Sequence, residues 1–240
     1  MRKGIVIFVF LFVSLAFAHG EPPRFLRRPA VSGTRIVFNY AGDLWIVGRD
    51  GGDAARLTSA AGVETDRLIL RSPRAGDGEM LHAAIAESLP ELRRHLASLP
   101  WVAGEQTIAS AEAWCRNSEA NFLARRDLPF LVLERTTGEL VGAAGLHRTV
   151  WSTPKTEIGY WGRTSRARNG FMREAVAALA RYAFAHLRVV RIEIVTDEDN
   201  APSRRLAERC GFALEGVLRN ERRAPDGTLR NTCIYARTSP

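Results

Sequence analysis

The segment "RTSRARNG" (163–170) sets three arginines and a glycine directly before "FMREAVAALARYAF" (171–184), a stretch of helical period. The first amide N–H groups of a helix have no partner inside it, and the helix dipole adds partial positive charge at the same end. Such a turn favours an anion, phosphate above all. Gly170 lets a ligand approach the backbone closely, and Arg163, Arg166 and Arg168 supply cations for a ligand that carries several phosphates. A strand–loop–helix with one glycine also reads as a plain connection, so the surrounding elements have to decide between the two.

Upstream, "TEIGYWG" (156–162) reads as a strand, and downstream "VVRIEIVT" (189–196) alternates Val190, Ile192 and Ile194 with Arg191 and Glu193. The turn and its helix therefore join two strands. The rest of 63–240 reads as a strand over 67–71, a helix with Met80, Ile85 and Leu89 at apolar positions, and a second helix over "SAEAWCRNSEANFLARR" capped by Ser110. A hairpin of 130–135 and 140–146 follows, then, after the turn region, a short helix over 202–210 between Asn200 and Gly211, and strands over 212–218 and 231–237. The order β-α-α-β-β-β-α-β-α-β-β predicts an α/β fold, a mixed sheet flanked by helices.

At 240 residues, 46% hydrophobic and 25% charged, the chain can hold one ordinary domain and an appendage. Its net charge is +8, and residues 1–62 carry eight Lys/Arg against four Asp/Glu, so the excess is spread rather than gathered in a tail. No aromatic–basic motif accompanies it, and no nucleic-acid partner is expected. Cys115, Cys210 and Cys233 are far apart with no second ligand at metal spacing. They read as reduced thiols, with neither a metal site nor a disulfide framework.

From 64 to 237 the chain resembles the GNAT acetyltransferase superfamily, in particular its RimJ/RimL-like branch, which acetylates protein N-termini. The carriers are "ETDRLILR", "TEIGYW", "NGFMREAVAALARYAF", "DNAPSRRLAERCGF" and "GVLRNERRAPDGTLRNTCIYA". The resemblance implies acetyl-CoA as co-substrate, its pyrophosphate cradled by Arg168, Asn169, Gly170, Phe171 and Met172. The chain departs from the family turn, Gln/Arg-Gly-x-Gly-x-Gly/Ala, in lacking the Gln/Arg and the first glycine. The implied reaction is direct transfer to a primary amine in a ternary complex, with no metal and no covalent intermediate.

Two residues are implied as catalytic. Glu157 resembles the acidic position that collects the amine proton, and reads equally as an ordinary strand carboxylate. Ser203 resembles the hydroxyl that RimL-like members use to protonate the departing thiolate, where many relatives place a Tyr seven residues after Asn200; here that position is Ala207. Asn200 is expected both to cap its helix and to hold the pantetheine arm. His147 and Tyr160 are further candidates near the acceptor end, outside the catalytic set. The acceptor, a protein N-terminus or a small amine, has no readable code. Two alternatives stay open: a secreted propeller-like binding module, and a CoA-binding GNAT-like domain without turnover.

"MRKGIVIFVFLFVSLAFAHG" has the basic start, apolar run and Ala16-Phe17-Ala18 site of a secretory signal peptide over 1–18, too short for a stable membrane anchor. Residues 25–58 resemble a first β-propeller blade of tricorn-protease or TolB-like secreted proteins, with strands at 35–39 and 44–47, although a propeller needs several blades to close. The division expected is a signal peptide (1–18), a blade-like all-β fragment with linker (19–62) and a GNAT domain (63–240). The signal implies export, whereas acetyl-CoA belongs to the cytoplasm. Val63 stands where the family's initiating Met does, so 1–62 reads as a foreign piece joined to a cytoplasmic enzyme.

Overall fold

The computed structural model describes residues 27–32, 34–40, 43–56, 62–97 and 99–239. The signal-peptide segment lies outside them. Four antiparallel strands come first, β1 (Arg27–Ser32), β2 (Arg35–Tyr40), β3 (Asp43–Gly48) and β4 (Gly51–Arg56), in a sheet of sequential order. The sequence shows β2 and β3, and misses β1, whose "RRPAVS" contains a proline and does not alternate. A sequential meander is the topology of one propeller blade and equally of a free-standing one. Its identity as a blade rests on sequence resemblance alone.

The second sheet has eight strands in the order β11-β12-β10-β9-β8-β7-β6-β5. They are β5 (Val63–Glu64), β6 (Leu68–Arg71), β7 (Leu128–Glu134), β8 (Leu140–Val150), β9 (Lys155–Gly162), β10 (Arg191–Asp197), β11 (Ala213–Arg223) and β12 (Leu229–Arg237). Helices α1 (Gly78–Leu96), α2 (Pro100–Ala103), α3 (Ile108–Leu123), α4 (Phe171–Tyr182) and α5 (Ala201–Arg209) cover it. Every pairing is antiparallel except that of β9 with β10, which the α4 crossover makes parallel.

Two apolar layers hold the helices on. Leu146, Ile158, Ile192 and Ile194 point to one face and meet Val176 and Leu179 of α4 and Ala207 of α5. Leu131, Leu140 and Ala143 point to the other and meet Leu81 and Ile85 of α1 and Ala111 and Cys115 of α3. The alternation that sends neighbouring strand residues to opposite layers is the period-2 pattern of a sheet buried on both faces. Helix α3 starts earlier than the sequence suggests: Thr107 is the N-cap and Ser110 its reciprocal partner at the third helical position, the hydroxyls exchanging bonds with each other's backbone N–H at 3.0 and 3.1 Å.

The parallel ladder is short. It joins Arg191, Ile192 and Glu193 to Lys155, Thr156 and Glu157, and goes no further. Beyond Glu157, β9 stays bonded to β8 alone and β10 to β12 alone, which leaves a split between 158–162 and 194–197. Both strands run into the N-termini of helices at this end, and in open α/β sheets ligands lie outside the carboxyl ends of parallel strands.

Candidate active site

The turn after β9 presents unpaired amides. A single 3-10 turn, Thr164–Arg166, leads to Arg168 and Gly170, both left-handed with φ of 64° and 76°. Alternating left-handed residues aim successive amides into one hollow. The amides of Arg168, Asn169 and Gly170 find no acceptor among the described residues, and Phe171 and Met172, as first helical residues, have none within α4. Arg168 thus takes the backbone geometry that the family's missing glycine would supply, at a cost of about 1–2 kcal/mol for a side chain in that region.

Side chains far away in sequence fix the turn. Arg163 donates to Glu87 at 2.7 Å, the same carboxylate accepts from the Ser165 amide at 2.7 Å, and the Ser88 hydroxyl accepts from the Thr164 amide at 3.0 Å. Arg67 pairs with Glu174 at 2.7 Å, donates to the Asn169 carbonyl at 3.0 Å and lies over the Phe171 ring. Arg166 is ion-paired with Glu139, with Glu134 at 3.7 Å. Arg163 and Arg166, both expected to meet phosphate, are here paired with carboxylates and brace the turn. Arg168 is exposed with no carboxylate partner among the described residues.

Hydrogen bonds from Ser165 and Arg163 hold the Glu87 carboxyl down at about 2, below its ordinary 4.5. A carboxyl lowered by folding contributes stability that is present above 4.5 and is lost as pH falls towards 2. Glu87→Gln should accordingly flatten the loss of melting temperature between those pH values. Identical acid melting curves for the two proteins would show that Glu87 does not anchor the turn.

Across the split, the Asn200 side-chain oxygen accepts from the Ser203 amide at 3.2 Å, as the sequence suggests for a cap. The Ser203 hydroxyl lies 2.9 Å from the phenol of Tyr160, which also donates to the Ser203 carbonyl at 3.1 Å. Burial pushes the Tyr160 phenol up, so it stays protonated. Tyr160 thus belongs with Ser203, on the α5 side of the sheet. Ala207, at the family's tyrosine position, is buried in the core.

The opposite face carries a different set. Glu157 sits at the last rung of the parallel ladder and is ion-paired with Arg148. His147, its neighbour on β8, is bonded through Nδ1 to Asp127 at 2.6 Å. Trp161 and Trp101 face each other at 6.5 Å further along the split. The three cysteines are buried and free, and burial pushes the Cys115 thiol up to about 12.

A mixed sheet that opens beside its one parallel pair, with an amide-lined turn on one side and a hydroxyl pair on the other, defines an acyltransferase that takes a phosphate-bearing donor. Residues 67–213 match the family described as "Acetyltransferase (GNAT) domain", and the chain belongs to it. The N-acetyltransferase YoaA of Bacillus subtilis, itself uncharacterised, is 32% identical over 178 residues, 74% of this chain and 97% of YoaA. The crystal structure of the microcin C7 self-immunity acetyltransferase MccE with acetyl-CoA and AMP shares the fold, with a TM-score of 0.68 at 23% identity over 76% of this chain and 98% of that one. So does RimL, a ribosomal L7/L12 α-N-protein acetyltransferase, in complex with coenzyme A, with a TM-score of 0.68 at 20% identity over 75% and 97%. Among the described residues no helix is long and apolar enough to cross a membrane.

Proposed function

We propose that the chain transfers acetyl from acetyl-CoA to a primary amine by direct attack within a ternary complex. The observation that carries this reading is the split between β9 and β10, flanked by the open amides of 168–172 and by Ser203. The donor's pyrophosphate fits those amides and Arg168, and its pantetheine arm fits the split, where the Asn200 side-chain amide is free of protein acceptors among the described residues. Attack by the amine forms the C–N bond, the C–S bond breaks, and the Ser203 hydroxyl protonates the sulfur. Glu157, ion-paired with Arg148, holds the acceptor's amine at the end of the ladder.

The acceptor is a protein N-terminus, a reading supported by the likeness to RimL and by the exposed approach past Trp101, 38% accessible. Incubation with labelled acetyl-CoA and a panel of N-terminal peptides, polyamines and aminoglycosides tests it. Label on small amines alone would remove the protein acceptor, and CoA binding without any labelled product would leave a binding domain without turnover.

The catalytic unit begins near Val63 and works in the cytoplasm, with 1–62 as an appended piece. Supporting this division, the eight-stranded sheet starts at Val63, and β1–β4 pair only with one another among the described residues. Residues 63–240 produced alone should bind CoA as tightly as the full chain, measured by calorimetry. Aggregation of that piece beside a well-behaved full chain would place the first 62 residues within the fold.

A further inference from the structure

We propose that His147, oriented by Asp127, is the base that removes the amine proton in this chain, and that Glu157 is not. The proposal rests on the acetyl-transfer reading above.

Four ionisable residues lie in one row across the sheet. Leu128 pairs with Leu146, which sets Asp127 level with His147; His147 pairs with Glu157, and Glu157 with Glu193. Directly paired residues project from the same face, here the one bearing α1 and α3, since Trp161, two places beyond Gly159, packs against that layer. The row crosses β9 at the rung where the split opens. Ser203 and Tyr160 come from the other side. A base and an acid on opposite sides of the split are what transfer needs, because the amine enters as the thiolate leaves.

Within the row, His147 has the free lone pair. An ionised carboxylate only accepts, so the 2.6 Å bond to Asp127 places the proton on Nδ1 and leaves Nε2 as acceptor. Nε2 has no partner among the described residues, and the side chain is 34% accessible. The ring is laid over the β8–β9 pair by two glycines. A Cβ on Gly145 would fall 2.5 Å from Nε2 and would displace the ring, and one on Gly159 would fall 3.0 Å from Cδ2 and would press on it. The imidazole thereby leans along the strands over the Gly145–Gly159 pair, one strand from the split and on its open half. Glu157, by contrast, is committed to Arg148.

The acceptor first loses one proton to water. Its lone pair forms the C–N bond, the nitrogen becomes cationic, and Nε2 takes one of its protons while Asp127 balances the imidazolium. The C–S pair leaves with sulfur, which receives the Ser203 proton. His147 and Ser203 then exchange with solvent, and one proton is released overall.

The test compares wild type, His147→Asn, Asp127→Asn and Glu157→Gln, using acetyl-CoA and the peptide that wild type acetylates fastest. Asparagine keeps the donor to Asp127 but offers no basic nitrogen at Nε2. His147→Asn should lower kcat/KM about 10²–10³-fold and abolish the acidic limb that remains in the pH profile once the rates are divided by the fraction of unprotonated acceptor amine, with CoA affinity unchanged. Asp127→Asn, which removes the group that orients the ring, should lower kcat about 10-fold with CoA affinity unchanged. The charges facing the ring are Asp127, Arg148, Glu157 and Glu193, and Glu157→Gln should raise the peptide KM while keeping the limb. Retention of the limb in His147→Asn, or its loss in Glu157→Gln, would overturn the proposal. A wild type that acetylates no amine at all would instead sink the acetyl-transfer reading on which it rests.

Discussion

Ser203→Ala is expected to lower kcat about 10²-fold and to leave the KM for acetyl-CoA within about 3-fold. In the proposed mechanism the hydroxyl acts where negative charge gathers on the departing sulfur, a charge absent from the bound donor, so its loss is felt in the transition state alone. Folding should be untouched. With Oγ gone, the Tyr160 phenol still donates to the residue-203 carbonyl, now at 3.1 Å, and is not left unsatisfied in the core. Tyr160→Phe should give a smaller loss, because Ser203 keeps its own proton and loses only a hydrogen-bonding neighbour. Steady-state kinetics with both substrates varied decide the matter, and an unchanged kcat would mean that water supplies the proton.

The largest stability effect is expected outside the site, at Asp77. Its carboxylate holds both terminal nitrogens of Arg71 at 2.6 and 2.7 Å and accepts from the Arg74 amide at 2.9 Å, with the two side chains only 15% and 9% accessible. Asp77→Ala leaves a guanidinium in the interface between β6 and the start of α1 with no counter-charge, at a cost of about 3–5 kcal/mol. Against a total of about 5–15 kcal/mol for a domain, that is enough to unfold much of the population on mild heating. Urea melts should show a lower midpoint at unchanged slope. The double variant Arg71→Met/Asp77→Leu should regain most of the loss, since an apolar pair of similar volume carries no buried charge; failure to regain it would mean that the Arg74 amide contact, not the ion pair, matters most.

Much of the catalytic domain was legible because its signals are local. The period-2 strand 191–197, the amphipathic α4, the cap at Asn200 and the glycine turn all depend on residues a few places apart. The two carboxylates that take Arg163 and Arg166 were not legible: Glu87 lies on α1, and Glu139 in the β7–β8 turn, and only the packing of α1 and that turn beside the phosphate turn brings them together. Counting arginines along the sequence therefore says nothing of which carboxylates pair with them. Arg67 with Glu174 and Asp127 with His147 are likewise tertiary pairs without a sequence period. The α3 cap was misplaced by three residues because Thr107 and Ser110 are both competent caps, and only the backbone at Thr107 is extended.

Strand β11, at the end of the large sheet, runs for 11 residues with Leu214, Val217 and Leu218 exposed. A strand of that length with a free rim of amides and carbonyls would ordinarily recruit foreign chains and seed aggregates. Its register against β12 shifts twice, between Leu214 and Gly216 and between Leu218 and Arg222, and Asn220 turns left-handed in the second shift. No run of regular rim longer than a few residues survives, and Glu215, Arg219, Glu221, Arg222 and Arg223 stud what is left with charge. The irregularities that spoil the hairpin's pairing thus keep the sheet finite, so that crowding in a cell does not turn its last strand into a template.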